Sequence, residues 1–116
     1  MTKAQPDGIA IDEQLLSGFD LNLLVSFVVL YRERSVSRTA QLLGIGQPAV
    51  SGSLCRLRKR FDDPLFSRSG RGVAPTPKAD QLAAIIAPCL LRIEALLVLN
   101  QPLASVDRDL KSDAQH

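Results

Sequence analysis

VSRTAQLLGIGQPAVSGSLCRLRKR, residues 36–60, decides how this chain folds. Taken by itself, the stretch is two short helices joined by a tight turn. Val36, Ala40 and Leu43 give the first helix one apolar face. Gly44 ends it, because glycine takes the left-handed backbone at no steric cost. Ile45 is placed to plug the crevice between the helices, and Gly46 to stand at the N-cap of the second. Pro48 falls in the first turn, where a missing N–H is harmless. Val50, Leu54, Leu57 and Phe61 recur at helical spacing and make a buried stripe. The opposite face carries Pro48, Ser51, Gly52, Cys55, Arg56 and Lys59. It is slim near its start and cationic towards its end, a shape that fits a major groove.

Upstream, Asp20 is a suitable N-cap for a helix to about Arg34. Leu21, Leu24, Val25 and Val28 form one stripe on it, and Leu23, Phe27, Leu30 and Tyr31 cover most of the rest. A helix apolar nearly all round needs cover on two sides. Residues 1–19 contain Pro6 and Gly8 and read as a flexible tail with one helical turn at Glu13–Leu16. Downstream, Pro64 blocks continuation of the second helix past Phe61. Leu65–Arg68 and Val73–Pro75 flank a Ser69-Gly70-Arg71-Gly72 turn and read as a β-hairpin. A basic hairpin directly after such a helix is the wing of a winged helix. Arg68 and Arg71 would lie over phosphates or enter a minor groove; the other reading is a solvated hairpin that touches nothing.

Thr76-Pro77 then opens the longest helix, with Thr as N-cap and Pro at the first helical position. It runs to Leu99, about 24 residues or about 36 Å. Leu82, Ile86, Cys89, Ile93 and Leu96 recur at alternating steps of four and three, a heptad seam that Leu90, Leu91 and Leu97 widen. Part of this strip should face the first long helix and part a second copy of the chain. Pro88 should bend the rod. Residues 100–116 turn polar.

The chain has 116 residues, enough for one small domain. Its net charge of +2 hides an asymmetry: residues 32–78 hold ten Lys and Arg against three acids, while both flanks are acidic. A charge block is often only a solvated face, but its coincidence with the two-helix unit favours nucleic acid. Met1–Asp20 has no apolar core of signal-peptide length, and Cys55 and Cys89 match no metal spacing. Both read as free thiols in a reducing, cytoplasmic setting. Pro88, Arg92 and Glu94 interrupt the most apolar run, which argues against a membrane span. The one histidine, His116, is terminal, so neither a histidine-based triad nor a zinc site is available, and no cofactor or enzyme activity is expected.

These residues resemble the DNA-binding domain of LysR-type bacterial transcription regulators. The features that carry the resemblance are Asp20-Leu21-Asn22-Leu23-Leu24 with Phe27, Ser37-Arg38-Thr39-Ala40-Gln41-Leu42-Leu43 and Gln47-Pro48-Ala49-Val50-Ser51. Leu57, Pro64-Leu65-Phe66-Ser67-Arg68, Gly70-Arg71-Gly72 and Thr76-Pro77 complete them. The resemblance implies a mainly α fold: a winged helix-turn-helix of three helices and a short hairpin over residues 20–77, with the helix-turn-helix at about 36–55. A dimerisation helix over 78–99 and a polar tail follow. By position, it implies that Gln47, Pro48 and Ser51 enter the major groove, Gln reading adenine and Pro pressing on a thymine methyl. Ser37 and Arg38 would contact phosphates, with Arg68 in the wing; Gly52, Ser53, Arg56 and Arg71 complete the candidate DNA-binding set. Leu82, Ile86, Cys89, Leu90, Ile93, Leu96 and Leu97 are the candidate dimerisation residues.

Two departures stand out within the domain. Gly46 replaces a common Ser or Thr cap, and Gly52 stands where many members carry a longer side chain, so a Gly52→Arg substitution is expected to tighten DNA binding. The family's effector-binding domain is not present in this sequence, so no small-molecule effector is expected for the chain. The expected function is a sequence-specific regulator that binds double-stranded DNA at an inverted repeat as a homodimer. The alternative is a shortened regulator that pairs with full-length relatives and poisons them.

Overall fold

The structure, a computed structural model, describes residues 8–102. Its elements run α1 (Glu13–Ser17), α2 (Asn22–Glu33), α3 (Val36–Leu43), α4 (Gln47–Phe61), β1 (Phe66–Ser69), β2 (Gly72–Pro75) and α5 (Pro77–Leu99). This is the expected winged helix-turn-helix followed by a long helix, with the turn at Glu13–Leu16 extended by one residue and capped by the Asp12 carboxylate. Residues 1–7 and 103–116, in the two expected tails, lie outside the described residues.

Local chemistry sets the boundaries. Asp20 does not itself cap α2; Leu21 stands there, and the Asp20 side chain, one residue earlier, accepts from the Asn22 N–H. Arg34 closes α2 in the left-handed conformation, φ 58°. Ser35 caps α3 by accepting from the Arg38 N–H. Gly44 takes φ 68° as expected, and the Gly46 backbone opens α4 with Pro48 in its first turn. Thr76 caps α5, its hydroxyl accepting from the Ala79 N–H.

The core joins Leu23, Phe27 and Leu30 of α2 to Leu54 and Leu57 of α4, Leu65 and Phe66 before and in β1, and Ala79 and Ala83 of α5. The Phe27 and Phe66 rings meet at 5.7 Å, tilted by 53°. The inward side of α3 differs from the expected Val36–Ala40–Leu43 face. Thr39 is fully buried beside Ala40, whereas Val36 and Leu43 are half-buried. The Thr39 hydroxyl donates to the Ser35 carbonyl at 2.7 Å, so a polar side chain enters the core without an unmet hydrogen bond. Ile45 is not a plug: it is 40% exposed, and its contribution is a backbone N–H donated to the Ala40 carbonyl.

The long helix runs unbroken through Pro88. Its apolar strip divides. Leu82 and Ile86 pack against the core of their own domain, so the first two seam positions are spent within the subunit. Leu90 is half-buried, while Cys89, Ile93, Leu96 and Leu97 are exposed. By length and composition alone α5 is long and apolar enough to cross a membrane.

Candidate nucleic-acid interface

Three elements converge on an open polar groove of about 360 Å³. Ser35 and Ser37 come from the start of α3, Gln47 from the start of α4, and Arg68 and Arg71 from the hairpin. The hairpin pairs Phe66 with Pro75 through to Ser69 with Gly72 in antiparallel register. Its base is pinned from both sides. The Arg58 guanidinium donates to the carbonyls of Pro64 at 2.8 Å and Phe66 at 3.2 Å. The Val73 N–H donates to the Arg34 carbonyl at 3.0 Å. The Arg58 nitrogens are thus engaged in holding the wing against α4.

The Asp63 carboxylate accepts from the Thr76 hydroxyl at 2.7 Å and from the Leu65 N–H at 2.8 Å. Those two bonds, the hydroxyl's first, hold its pKa below the usual carboxylate value. They also fix Leu65, which takes φ 65° and buries its side chain completely. Tyr31 packs on Phe27 and donates its hydroxyl to Asp80 at 2.7 Å, which raises the phenol's pKa and ties α2 to α5. Tyr31 is therefore a packing residue, as its place among the apolar residues of α2 suggested.

Of the remaining candidates, Pro48, Ser51 and Arg56 are exposed on α4. Arg38 is exposed on α3, its guanidinium 3.4 Å from the Gln41 side-chain oxygen and 3.8 Å from Glu33. Gly52 is half-exposed, and a side chain built on it would meet no protein atom within 4 Å. Ser53 departs from the set. It lines the gap between α2 and α4 with Ser26, Phe27 and Leu30, because its position on the helix borders the buried stripe. Ser35, which the candidate set omitted, lies in the groove and is marked in the sequence only as a cap. Cys55 and Cys89 are exposed free thiols.

Residues 21–80 match the lysR family of bacterial regulatory helix-turn-helix proteins. The chain is 40% identical over 92 residues to nodulation protein D 1 of Rhizobium meliloti (strain 1021), covering 79% of this chain and 30% of that protein. It is 43% identical over 81 residues to nodulation protein D 1 of Bradyrhizobium sp. (strain NC92), covering 70% and 26%. It thus spans under a third of the length of these curated relatives. Among solved structures, a probable transcriptional regulator from Pseudomonas aeruginosa superposes with a TM-score of 0.71 at 43% identity, over 77% of this chain and 30% of that one. The DNA-binding domain of BenM in complex with catB site 1 DNA superposes with a TM-score of 0.63 at 25% identity, over 77% of this chain and 96% of that one.

Proposed function

The chain belongs to the lysR family of bacterial regulatory helix-turn-helix proteins, and from that premise we propose that it binds an inverted-repeat promoter site as a dimer, one α4 to each half-site. Membership makes it a DNA-binding transcription regulator, not an enzyme. The observation that carries the finer reading is the convergence of Ser37, Gln47, Arg68 and Arg71 on one groove from three elements. Gln47, Pro48 and Ser51 at the tip of α4 read base edges. Ser37, Arg38, Arg56, Arg68 and Arg71 hold the phosphates on either side and set the register.

The second copy covers the distal half of α5, where Ile93, Leu96 and Leu97 are 52, 59 and 63% exposed. Burying this strip in a protein partner rather than in lipid keeps both copies of α4 on one DNA face. A cytoplasmic location follows from a chromosomal partner.

Footprinting on DNA selected by the purified chain from a random pool tests this. The expected result is protection of two symmetry-related half-sites, with affinity falling steeply as salt rises. Absence of protection, or protection of a single half-site by a monomer, overturns it.

A further inference from the structure

α1 and α5 face each other across an open apolar groove of about 310 Å³. Leu15, Leu16 and Phe19 form one wall, and Leu82, Ile85 and Ile86 form the other. Arg60, near the end of α4, is the one charged side chain lining it. α1 precedes residues 21–80, the part of the chain that matches the family, and buries none of its own residues. The Leu15 N–H donates to the Asp12 carboxylate at 3.1 Å and the Gly18 N–H to the Gln14 carbonyl at 3.0 Å. Local bonds thus shape α1, and Leu15 and Leu16 stay exposed at the rim of the groove.

Two observations point to what fills it. The first is continuity with the exposed strip of α5. At about 100° per residue, Leu82, Ile85, Cys89, Ile93 and Leu96 fall within about 80° of arc, with Arg92 at the edge. The groove is therefore the N-terminal end of the strip assigned above to a second copy. In an antiparallel pair, a two-fold axis crossing α5 midway between Ile85 and Leu96 sets Ile85 opposite the partner's Leu96 and Leu82 opposite the partner's Leu99. Leu99 is 82% exposed. Its own subunit cannot bring it to the groove, because it lies thirteen residues beyond Ile86, about 20 Å along an unbroken helix. The second observation is charge. The last turn of α5 has no basic residue to meet the negative end of the helix dipole, and in the antiparallel pair that end arrives beside Arg60. The ends of the chain suit the groove less: residues 1–7 bring one large apolar side chain, Met1, and residues 103–116 hold five charges.

Resting on the dimer reading above, we propose that α1 and the first half of α5 form a socket for the C-terminal turn of α5 from a second copy of this chain, so that an element outside the matched family domain takes part in dimerisation. The partner's Leu96 and Leu99 lie on Leu82 and Ile85, Leu15 and Leu16 close over them, and Arg60 stands at the carbonyl end of the incoming helix. The pair has two such sockets, one at each end of the joined rods.

Cross-linking in the full chain tests the socket. In a Cys55→Ala, Cys89→Ala background, a tagged Leu16→Cys chain is mixed with an untagged Leu99→Cys chain and treated with a short bismaleimide. The expected product joins the tagged chain to the untagged one. In the otherwise native chain, Leu15→Ala with Leu16→Ala should raise the dimer dissociation constant, read by sedimentation, about tenfold or more, with the circular dichroism spectrum unchanged. If the mixed chains sediment as dimers but cross-link only like to like or not at all, or if the double alanine variant dimerises as tightly as the native chain, the socket is overturned. A native chain that sediments as a monomer at every concentration fails the dimer reading itself and takes the socket with it.

Discussion

A Cβ on Gly72 would fall inside the contact radius of the Arg34 carbonyl oxygen and 3.4 Å from its carbonyl carbon. That carbonyl accepts the Val73 N–H. Arg34 is itself held in the left-handed conformation, its guanidinium 4.9 Å over the Tyr31 ring and its Nε bonded to the Tyr31 carbonyl. The second wing strand is thus set against the end of α2 by two backbones in direct contact, a spacing only glycine permits.

Gly72→Ala should therefore push β2 away from Arg34. Overpacking of this kind costs about 1–3 kcal/mol, and each kcal/mol lowers the melting temperature of a small domain by about 4–8 °C. DNA affinity should fall as well, because Arg68 and Arg71 ride on the displaced hairpin. Circular dichroism melts and anisotropy titrations check both; an unchanged melting curve contradicts the close approach.

Arg56 and Arg58 stand two residues apart on α4 and should fail differently. Arg58 holds the Pro64 and Phe66 carbonyls, so Arg58→Ala should destabilise the domain by about 1 kcal/mol. Arg56 is exposed on α4. Arg56→Ala should leave the melt unchanged, weaken binding to all DNA sequences and reduce the salt slope by about one. A matching pair of phenotypes would show that the wing does not depend on Arg58.

Asp63 links stability to pH with a definite sign. Its folded-state pKa lies below the usual carboxylate value because the Thr76 hydroxyl and the Leu65 N–H bind the ionised form. Its contribution is therefore present above the unfolded value and is lost as pH falls through the folded one. Asp63→Asn keeps an acceptor but cannot titrate. The difference in urea midpoint between the wild type and Asp63→Asn should be largest near neutrality and shrink towards pH 2. A difference independent of pH would remove Asp63 from the account.

What could be read in advance was local. Gly44, Gly46, Pro48 and Thr76 act on backbone groups within three or four residues, so their spacing alone marks the helix ends. The Val50–Leu54–Leu57 stripe is likewise one helix's own period. What escaped depends on contacts between segments. Nothing near Arg58 announces that its fork will meet two carbonyls beyond Pro64, and Gly72 looks like any turn glycine until α2 is beside it. Thr39 escaped because a hydroxyl satisfied by the carbonyl four residues earlier buries like an apolar group. Periodicity identified the apolar strip of α5 but could not say that Leu82 and Ile86 face their own domain while Leu96 does not. The groove residues Ser37, Gln47, Arg68 and Arg71 are up to 34 positions apart in the chain, and only the folded hairpin brings them together.

That division of α5 makes the last prediction. Leu96 is 59% exposed and lies beyond the core contacts made by Ala79, Leu82, Ala83 and Ile86. Leu96→Glu adds a charge to a surface the isolated subunit leaves in water, so the subunit's melt should hold. In a dimer closed through this strip the same charge is buried without a partner, which is strongly unfavourable. Sedimentation velocity should then show a monomer, and affinity for a two-half-site DNA should fall about tenfold or more as the two recognition helices lose their tether. Affinity for a single half-site should stay the same. A Leu96→Glu chain that still sediments as a dimer would place the contact between copies elsewhere on the molecule.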